Sequence, residues 1–291
     1  MKIVELGYLL VGAPNADEWR SFGENVLGAM MLDGPDGLLY AKIDERAFRI
    51  AIIAGKENGL IASGWLVADA DQFVLARREL EAANVEIESG DPSGAAMRGV
   101  QAYFRFVDPA GHRHEIAWGP ISDFVPFASP QGVSKFVTEG MGLGHVVLAA
   151  PEGFDAEYAF WTKTCGFGLS DVLKLPLPDG HARIHFMHCG NPRQHSLALG
   201  EIPFPGGCIH IMLEVGTIAD VGRALDRVEL HGAKLFSTIG QHVNDDMVSF
   251  YVITPGGFPL EYGCGGKQVD WTRHVAFETT RGDIWGHKFL R

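Results

Sequence analysis

The feature that most restricts the possible folds of this chain is an internal repeat that covers nearly its whole length. The segment RFVDPAGHRHEIAWG in the first half resembles YVITPGGFPLEYGCG in the second, and Glu115 corresponds to Glu261 (261 − 115 = 146). Upstream, LGYLLVGAP resembles LGHVVLAAP. Self-similarity of this kind indicates one structural unit used twice. We therefore predict two similar domains, residues 1–134 and residues 135–291.

Within each half the pattern alternates between strands and helices. Segments such as IHIMLEV, MVSFYVI and FRIAII carry β-branched and aromatic residues at alternating positions, which is typical of strands. Pro-Gly-Gly and Asp-Pro-Ala-Gly indicate hairpin turns. The predicted fold class is α+β. Each domain would contain two βαβββ modules that form one curved, mostly antiparallel sheet around a central cavity able to hold a ligand.

The overall composition excludes several classes of function. A net charge of −12 repels phosphate backbones and anionic lipids, so neither a nucleic acid nor a membrane surface is an expected partner. No apolar run approaches the length of a membrane span, and the N-terminal segment lacks the features of a signal peptide. The four cysteines form no CxxC pair and are predicted to be reduced thiols of a cytoplasmic protein.

The two halves of the repeat differ at positions that indicate a functional site in the second half. Ten of the twelve histidines lie at or after position 145, although two copies of one fold need no such asymmetry for stability. The first half has Tyr8 where the second half has His145, and Gly64 where the second half has His210. Only the carboxylate, Glu261 in the second half, is present in both copies.

Two imidazoles and one carboxylate on one face of a metal are the ligand set of non-haem iron(II) oxygenases, which leaves coordination positions open. His145, His210 and Glu261 are far apart in sequence, so they can meet only if neighbouring strands of one sheet bring them together. Strand alternation places His145 on the same face as Val147, and His210 on the same face as Met212. For any one of these residues a structural role is the more common interpretation, namely a hydrogen-bonded core histidine or a surface carboxylate. Three of them at corresponding positions of a degenerate repeat favour a metal site.

Several segments carry a resemblance to a known family, including GLGHVVL, FMHCGNPRQHSLAL, IHIMLEV, GQHVNDDMVSFYVITPGG, LEYG and IWGHK. The chain resembles the two-domain type I extradiol dioxygenases of the vicinal oxygen chelate superfamily, in particular the branch that acts on 2,3-dihydroxybiphenyl. The resemblance extends over nearly the whole chain. It implies Fe(II) as the cofactor, a metal only in the C-terminal domain, a catechol and O2 as substrates, and a homo-oligomer.

The resemblance also implies roles for individual residues. His145, His210 and Glu261 correspond to the iron ligands, and His195 corresponds to the acid–base histidine. His242 and Tyr251 correspond to groups that contact the catechol oxygens. Further substrate contacts are expected from the residues near the ring and its substituent: Asn244, Asp245, Val147 and Phe186. Gln194 departs from the pattern, because a second histidine is common at its position.

Other histidines are predicted to lie outside this site. His185, His188 and Cys189 resemble a zinc cluster, but residues 185 and 188 of a strand point to opposite faces. His112 and His114 flank a turn and are predicted to be solvated. We expect His287 to contact the pocket mouth from the C-terminal tail.

Two other functions remain open at this point. One is a glyoxalase-like isomerase that uses zinc or nickel, although Tyr8 and Gly64 do not supply the extra ligands such sites need. The other is a ligand-binding protein of the same fold with no catalytic activity. For the dioxygenase, the pocket is compatible with 3-substituted catechols derived from biphenyl, naphthalene, dibenzofuran or alkylbenzenes.

Overall fold

The computed structural model of the chain describes residues 1–178 and 180–290. The first half contains eight strands and three α-helices: β1 (Ile3–Ala13), α1 (Ala16–Phe22), β2 (Met30–Asp33), β3 (Leu39–Lys42), β4 (Ile50–Ala54), β5 (Gly59–Val67), α2 (Ala70–Ala82), β6 (Glu88–Ser89), α3 (Pro92–Arg98), β7 (Ala102–Val107) and β8 (Arg113–Trp118). A π-helical turn, Gly23–Leu27, extends α1, and a short 3-10 turn, Pro35–Gly37, precedes β3.

The second half, among the described residues, contains ten strands and two α-helices: β9 (His145–Ala149), α4 (Phe154–Ala159), β10 (Gly168–Leu177), β11 (Gly180–His188), β12 (Leu197–Gly200), β13 (Cys208–Val215), α5 (Ile218–Leu230), β14 (Leu235–His242), β15 (Val248–Ile253), β16 (Pro259–Cys264), β17 (Phe277–Thr279) and β18 (Asp283–Gly286). A π-helical turn, Phe160–Thr164, follows α4.

The two halves form two sheets with the same strand order. The first sheet runs β2-β3-β4-β1-β5-β8-β7-β6, and the second runs β17-β10-β11-β12-β9-β13-β16-β15-β14-β18. Eight strands of the second sheet repeat the first, while β17 and β18 extend its two edges. Most neighbours are antiparallel, and β1–β4, β5–β8, β12–β9, β13–β16 and β10–β17 are parallel. The predicted α+β fold with two βαβββ modules in each half is confirmed.

Helices cover one face of each sheet, and strand alternation assigns the side chains to the two faces. On β9, Val146 and Leu148 belong to the main hydrophobic core, whereas Val147 points to the other side. Helix α5 begins at an N-cap, Thr217, whose side chain accepts a hydrogen bond from a main-chain N–H of the first turn. The helix packs its apolar face onto the sheet. The opposite face of the curved sheet is therefore free to carry polar groups.

The two halves pack against each other through aromatic side chains. Trp65 of the first half lies 5.6 Å from Trp161 and 5.2 Å from Phe167 of the second half, measured between ring centroids. His114 belongs to this interface, because its fully buried ring lies edge-on to Trp161 and its Nε2 is 2.9 Å from Asp108 Oδ2. The prediction that His114 is solvated is wrong, since a turn that looks exposed in sequence is covered by the second half.

His112 is half-buried rather than solvated, and its Nε2 lies 2.8 Å from the carbonyl oxygen of Ala149. His185 packs on Phe154 and Tyr158 while His188 stacks on Trp271, so they do not form a cluster. All four cysteines are free and buried. No helix within the described residues is both long and apolar enough for a membrane crossing.

Candidate active site

The candidate site is built on one row of the second sheet. Residue pairing places His145 opposite Met212, Met212 opposite Glu261, and Glu261 opposite Tyr251, across strands β9, β13, β16 and β15. His210 lies two residues before Met212 and therefore shares its face. Because the sheet curls, side chains from this row converge on its concave side, away from the helices.

Three potential ligand atoms meet at this point. Nε2 of His145 and Nε2 of His210 are 3.1 Å apart, and Glu261 Oε2 lies 3.2 Å from the first and 3.4 Å from the second. Metal–ligand bonds of about 2.1 Å place adjacent octahedral ligand atoms about 3.0 Å apart. The observed separations therefore fit one face of an octahedral ion.

The electrostatics of these groups also suit a cation. Burial lowers the pKa of His145 to about 4, so its imidazole is neutral at pH 7 and its lone pair is available. Burial alone would raise the pKa of Glu261, but hydrogen bonds to His145, His210 and His242 hold it well below its ordinary value. The donor set is therefore two nitrogens and one carboxylate oxygen. That set, with the observed spacing, fits a ferrous ion.

The second oxygen of Glu261 is held by a neighbouring strand. Ser249 Oγ donates to Glu261 Oε1 at 2.6 Å, and Ser249 is fully buried. The same hydroxyl lies 3.2 Å from Nε2 of His287, whose Nδ1 is 2.6 Å from Asp283 Oδ1. The sequence predicts a position for His287 at the pocket mouth, but the residue is 5% exposed and lies inside this hydrogen-bond network.

His242 and Tyr251 lie beside the three converging groups. His242 Nε2 is 2.7 Å from the Tyr251 hydroxyl and 3.2 Å from Glu261 Oε1, while its Nδ1 is 2.9 Å from Asp283 Oδ1. Burial opposes protonation of His242, but Asp283 and Glu261 raise its pKa well above the ordinary value. Burial, together with Glu261 and Asp245, raises the pKa of Tyr251 well above its ordinary value. The pair therefore consists of a cationic imidazole and a neutral phenol.

His195 lies on the opposite side of the converging groups. Its ring stacks on that of His145 at 4.0 Å between centroids and meets the Phe186 ring edge-on at 4.9 Å. The side chain is buried, and burial holds the pKa of His195 well below its ordinary value. A neutral imidazole at this position can accept a proton.

The expected substrate contacts fall in two places. Phe186 on β11 pairs with Ala198 on β12, Ala198 pairs with Val147 on β9, and Val147 pairs with His210. This second row is apolar, and two of its three apolar members are small. Asn244 and Asp245 are buried in the turn after β14, where Asp245 Oδ2 lies 3.9 Å from His195 Nδ1.

Some residues of the site were missed by sequence reasoning. Ser249 lies two residues before Tyr251 on the same strand face, and this alternation is the one signal that could have identified it. Asp283 reaches the site because β18 pairs with β14, and Asp171 reaches it through Gln194. These are contacts between segments distant in sequence, which no local pattern indicates.

Among the residues that the structure describes, the equivalent place in the first half holds no such ligand set. Glu115 accepts from the Tyr8 hydroxyl at 2.6 Å and from two nitrogens of Arg98, each at 2.5 Å. The guanidinium thus supplies the positive charge at the position that corresponds to the cluster of His145, His210 and Glu261. All three side chains are buried.

A curled sheet with this constellation on its concave face is characteristic of one superfamily. The family model described as Glyoxalase/Bleomycin resistance protein/Dioxygenase superfamily matches residues 142–262. A second model, Dihydroxybiphenyl dioxygenase BphC D1, matches residues 6–55. The fold is that of the vicinal oxygen chelate superfamily.

Comparison with individual proteins shows to which family of this superfamily the chain belongs. The chain is 39% identical to an iron-dependent extradiol dioxygenase of Rhodococcus jostii, covering 99% of this chain and 98% of the relative. It is 40% identical to a biphenyl-2,3-diol 1,2-dioxygenase of Paraburkholderia xenovorans, with 100% and 97% covered. A crystal structure of BphC, a halotolerant catechol dioxygenase, superposes with a TM-score of 0.92 at 37% identity, with 100% and 96% covered. The chain belongs to the extradiol dioxygenases, oxidoreductases that open an aromatic ring beside its hydroxyl pair.

Proposed function

We propose that this chain is an Fe(II)-dependent extradiol dioxygenase that cleaves a 3-substituted catechol such as biphenyl-2,3-diol. The observation that carries the proposal is the convergence of His145, His210 and Glu261, whose ligand atoms lie 3.1 to 3.4 Å apart. The name of the Rhodococcus relative, an iron-dependent extradiol dioxygenase, supports iron as the metal.

Ferrous iron in this position would act as a Lewis acid that makes the catechol hydroxyl easier to deprotonate and would leave coordination places for the diol and for dioxygen. Two neutral imidazoles and one carboxylate leave a bound 2+ ion with one remaining positive charge, which a singly deprotonated catechol neutralises. The overall reaction adds both atoms of O2 to the ring and breaks one carbon–carbon bond. It needs no external reductant.

His242 and Tyr251 would hold the two catechol oxygens in different protonation states. A cationic His242 suits the deprotonated oxygen, and a neutral Tyr251 hydroxyl suits the protonated one. Their mutual contact of 2.7 Å supports a position for both on one side of the ring. Fixing both oxygens orients the carbon–carbon bond to be cleaved.

His195 would serve as the acid–base group on the other side of the ring. Its neutral imidazole can take a proton and return it later in the reaction. Its ring is stacked on His145, so it lies next to the proposed ligand set without belonging to it. His195→Ala is expected to retain iron and to lower kcat at least about a hundredfold. An unchanged kcat in that variant would remove His195 from the mechanism.

The apolar row formed by Phe186, Ala198 and Val147 would accommodate the substituent of the catechol. Val147 pairs with His210, and Ala198 pairs with Val147 one strand further away, so the row begins beside the proposed metal position. Asn244 and Asp245 would contact the substrate from the turn after β14. This arrangement suits a bulky apolar group at position 3 of the ring.

The decisive experiment is anaerobic reconstitution of the full chain with Fe(II), followed by oxygen and a panel of catechols. The panel contains biphenyl-2,3-diol, 3-methylcatechol and 1,2-dihydroxynaphthalene. We expect one iron per chain, one O2 consumed per catechol, and a yellow ring-opened acid from the first substrate. Iron binding without oxygen uptake on any of the three catechols would refute the proposed activity.

A matched pair of variants tests the ligand assignment separately from the activity. His210→Ala should lose iron and oxygen uptake together. His231→Ala changes the same residue type at the exposed end of α5, and it should keep both. Retention of full iron by His210→Ala would exclude the proposed ligand set even if the chain were active.

A further inference from the structure

The orientation of the His195 ring depends on a side chain next to it in sequence. Nδ1 of His195 lies 2.6 Å from Oε1 of Gln194, and both residues are buried. Within the described residues, Nε2 of His195 makes no hydrogen bond to another protein group. Nε2 is therefore the ring atom available to a substrate.

The orientation of the Gln194 amide is determined in turn by Asp171. The amide nitrogen of Gln194 donates to Asp171 Oδ2 at 2.8 Å. Burial and the nearby Asp245 raise the pKa of Asp171 to about 7. Above that pH its carboxylate oxygens only accept, so the amide NH2 faces Asp171 and the amide oxygen faces His195. An amide oxygen also only accepts, so Nδ1 of His195 must carry the hydrogen. With Asp171 ionised, this arrangement of hydrogens satisfies both contacts, whereas the reversed amide would place its oxygen against the carboxylate.

Asp171 is held in place by an irregularity of the sheet. The pairing of β10 with β11 shifts between Leu169 and Asp171, which leaves Ser170 as the extra residue of a bulge. Ser170 Oγ donates to the main-chain carbonyl of Gln194 at 2.5 Å, which ties the strand to the loop that carries His195. Asp171 itself is fully buried, so the chain Asp171–Gln194–His195 is shielded from water.

Asp245 lies on the same side of the His195 ring and also favours a hydrogen on Nδ1. Asp245 Oδ2 lies 3.9 Å from Nδ1 of His195, beyond hydrogen-bond distance but close enough to favour a hydrogen there. The acceptors near the ring thus cluster at Nδ1, while Nε2 remains unpaired by protein.

We propose that Asp171 and Gln194 are positioning residues that hold His195 with its hydrogen on Nδ1 and its lone pair on Nε2, facing the substrate. The inference rests on the proposed function for the importance of that lone pair, but the tautomer itself follows from the contacts. With the hydrogen on Nε2 instead, the ring could not accept a proton from the substrate side. Outer partners that orient a ring in this way typically contribute about ten- to hundredfold in activity.

Two variants test the relay at different points. Gln194→Met keeps the length of the side chain and removes the acceptor at Nδ1. Asp171→Asn keeps the shape, but an asparagine can donate as well as accept, so the Gln194 amide is free to reverse. Gln72→Met, the same substitution on α2 of the other half, serves as the control, and far-ultraviolet circular dichroism checks the fold of each variant.

The direct readout is nitrogen NMR of histidine-labelled full chain in which diamagnetic zinc replaces iron, with His195 assigned from a His195→Ala spectrum. Above the pKa of Asp171, the wild type and Gln72→Met should show hydrogen on Nδ1 of His195, whereas Gln194→Met and Asp171→Asn should lose that tautomer or show a mixture. Hydrogen on Nε2 in the wild type, or an unchanged tautomer in both relay variants, would overturn the inference.

Kinetics of the iron-loaded enzyme provide the second readout. Gln194→Met should lower kcat about ten- to hundredfold, with iron content and the KM for the catechol nearly unchanged. The double variant should fall no further than Gln194→Met alone, because both residues act through one ring. A loss of kcat without a change of tautomer would assign these residues to packing and refute the relay. If the wild type turned over no catechol but the tautomer shifted as expected, the proposed function would fail and the relay would stand.

Discussion

The buried ion pair of the first half gives the sharpest prediction about stability. Arg98 and Glu115 are 3% and 1% exposed, and two guanidinium nitrogens each lie 2.5 Å from a carboxylate oxygen. Replacing Arg98 with methionine retains most of the aliphatic stem and removes the charge. The carboxylate of Glu115 is then left in the interior without its main partner, which is the costly way to break a buried pair.

The structure sets the expected size of the effect. Breaking such a pair costs about 3–5 kcal/mol. Two groups remain near Glu115, because the Tyr8 hydroxyl donates to it at 2.6 Å and Arg105 Nε lies 3.4 Å away. Their compensation places the loss near the lower limit, about 3 kcal/mol. With a urea m-value of about 3 kcal/mol/M for a chain of this size, the unfolding midpoint should fall by about 1 M.

Urea unfolding at pH 7, followed by circular dichroism, measures this shift. Arg77→Met is the control, since the Arg77–Glu81 pair is 41% and 51% exposed and should contribute no more than about 0.5 kcal/mol. The double variant Arg98→Met with Glu115→Leu should recover most of the loss, because no charge is then left buried. The reasoning is refuted if Arg98→Met shifts the midpoint no more than the control, or if the double variant is as unstable as the single one.

Three further predictions concern pH, metal and substrate. Burial and the nearby Asp108 raise the pKa of Glu157 to about 8, so the folded state retains a proton that the unfolded chain releases near pH 4.5. The thermal unfolding midpoint should therefore fall as pH rises from about 5 to 9. Glu157→Gln should make the midpoint less dependent on pH, and the control variant Glu152→Gln should not. Removing iron with a chelator should lower the thermal unfolding midpoint of the wild type. It should leave the midpoint of Glu261→Gln unchanged, because we expect this variant to bind iron poorly. An equal effect of the chelator on both proteins would contradict the assignment of Glu261 as a ligand. In steady-state kinetics, Ala198→Phe should raise the KM for biphenyl-2,3-diol at least about tenfold and change the KM for 3-methylcatechol little. An equal increase of KM for both substrates would show that the substituent does not bind beside Ala198.

The site residues that could be predicted from the sequence are those at which the two halves of the repeat differ. His145 and His210 stand out because the corresponding residues of the first half, Tyr8 and Gly64, have different chemistry on the same fold. The fold class followed from the same comparison. The division at residues 134 and 135, the roles of the site residues and the oligomeric state stay predictions.

The parts that could not be predicted depend on contacts between distant segments. His114 is buried because Trp161 of the other half packs on it, and a turn-flanking histidine carries no local sign of that contact. Asp283 enters the site only because β18 adds to the edge of the second sheet at β14. In the sequence Gln194 is only a departure from the family pattern, and its contact with Asp171, beside a bulge that shifts the pairing of β10, is visible in the structure alone.

The persistence of a glutamate in both halves has a physical explanation in the two sites. Glu115 and Glu261 lie at equivalent positions inside strands β8 and β16 and are both 1% exposed, so each half must neutralise a buried carboxylate. The first half does this with the fixed charge of Arg98, which fills the space and leaves no coordination place. The second half surrounds Glu261 with three histidines, and two of them, His145 and His210, can bind a metal cation instead. A carboxylate that one half needs for its ion pair can therefore serve the other as a ligand, and the identity of its partners decides which half can bind a metal.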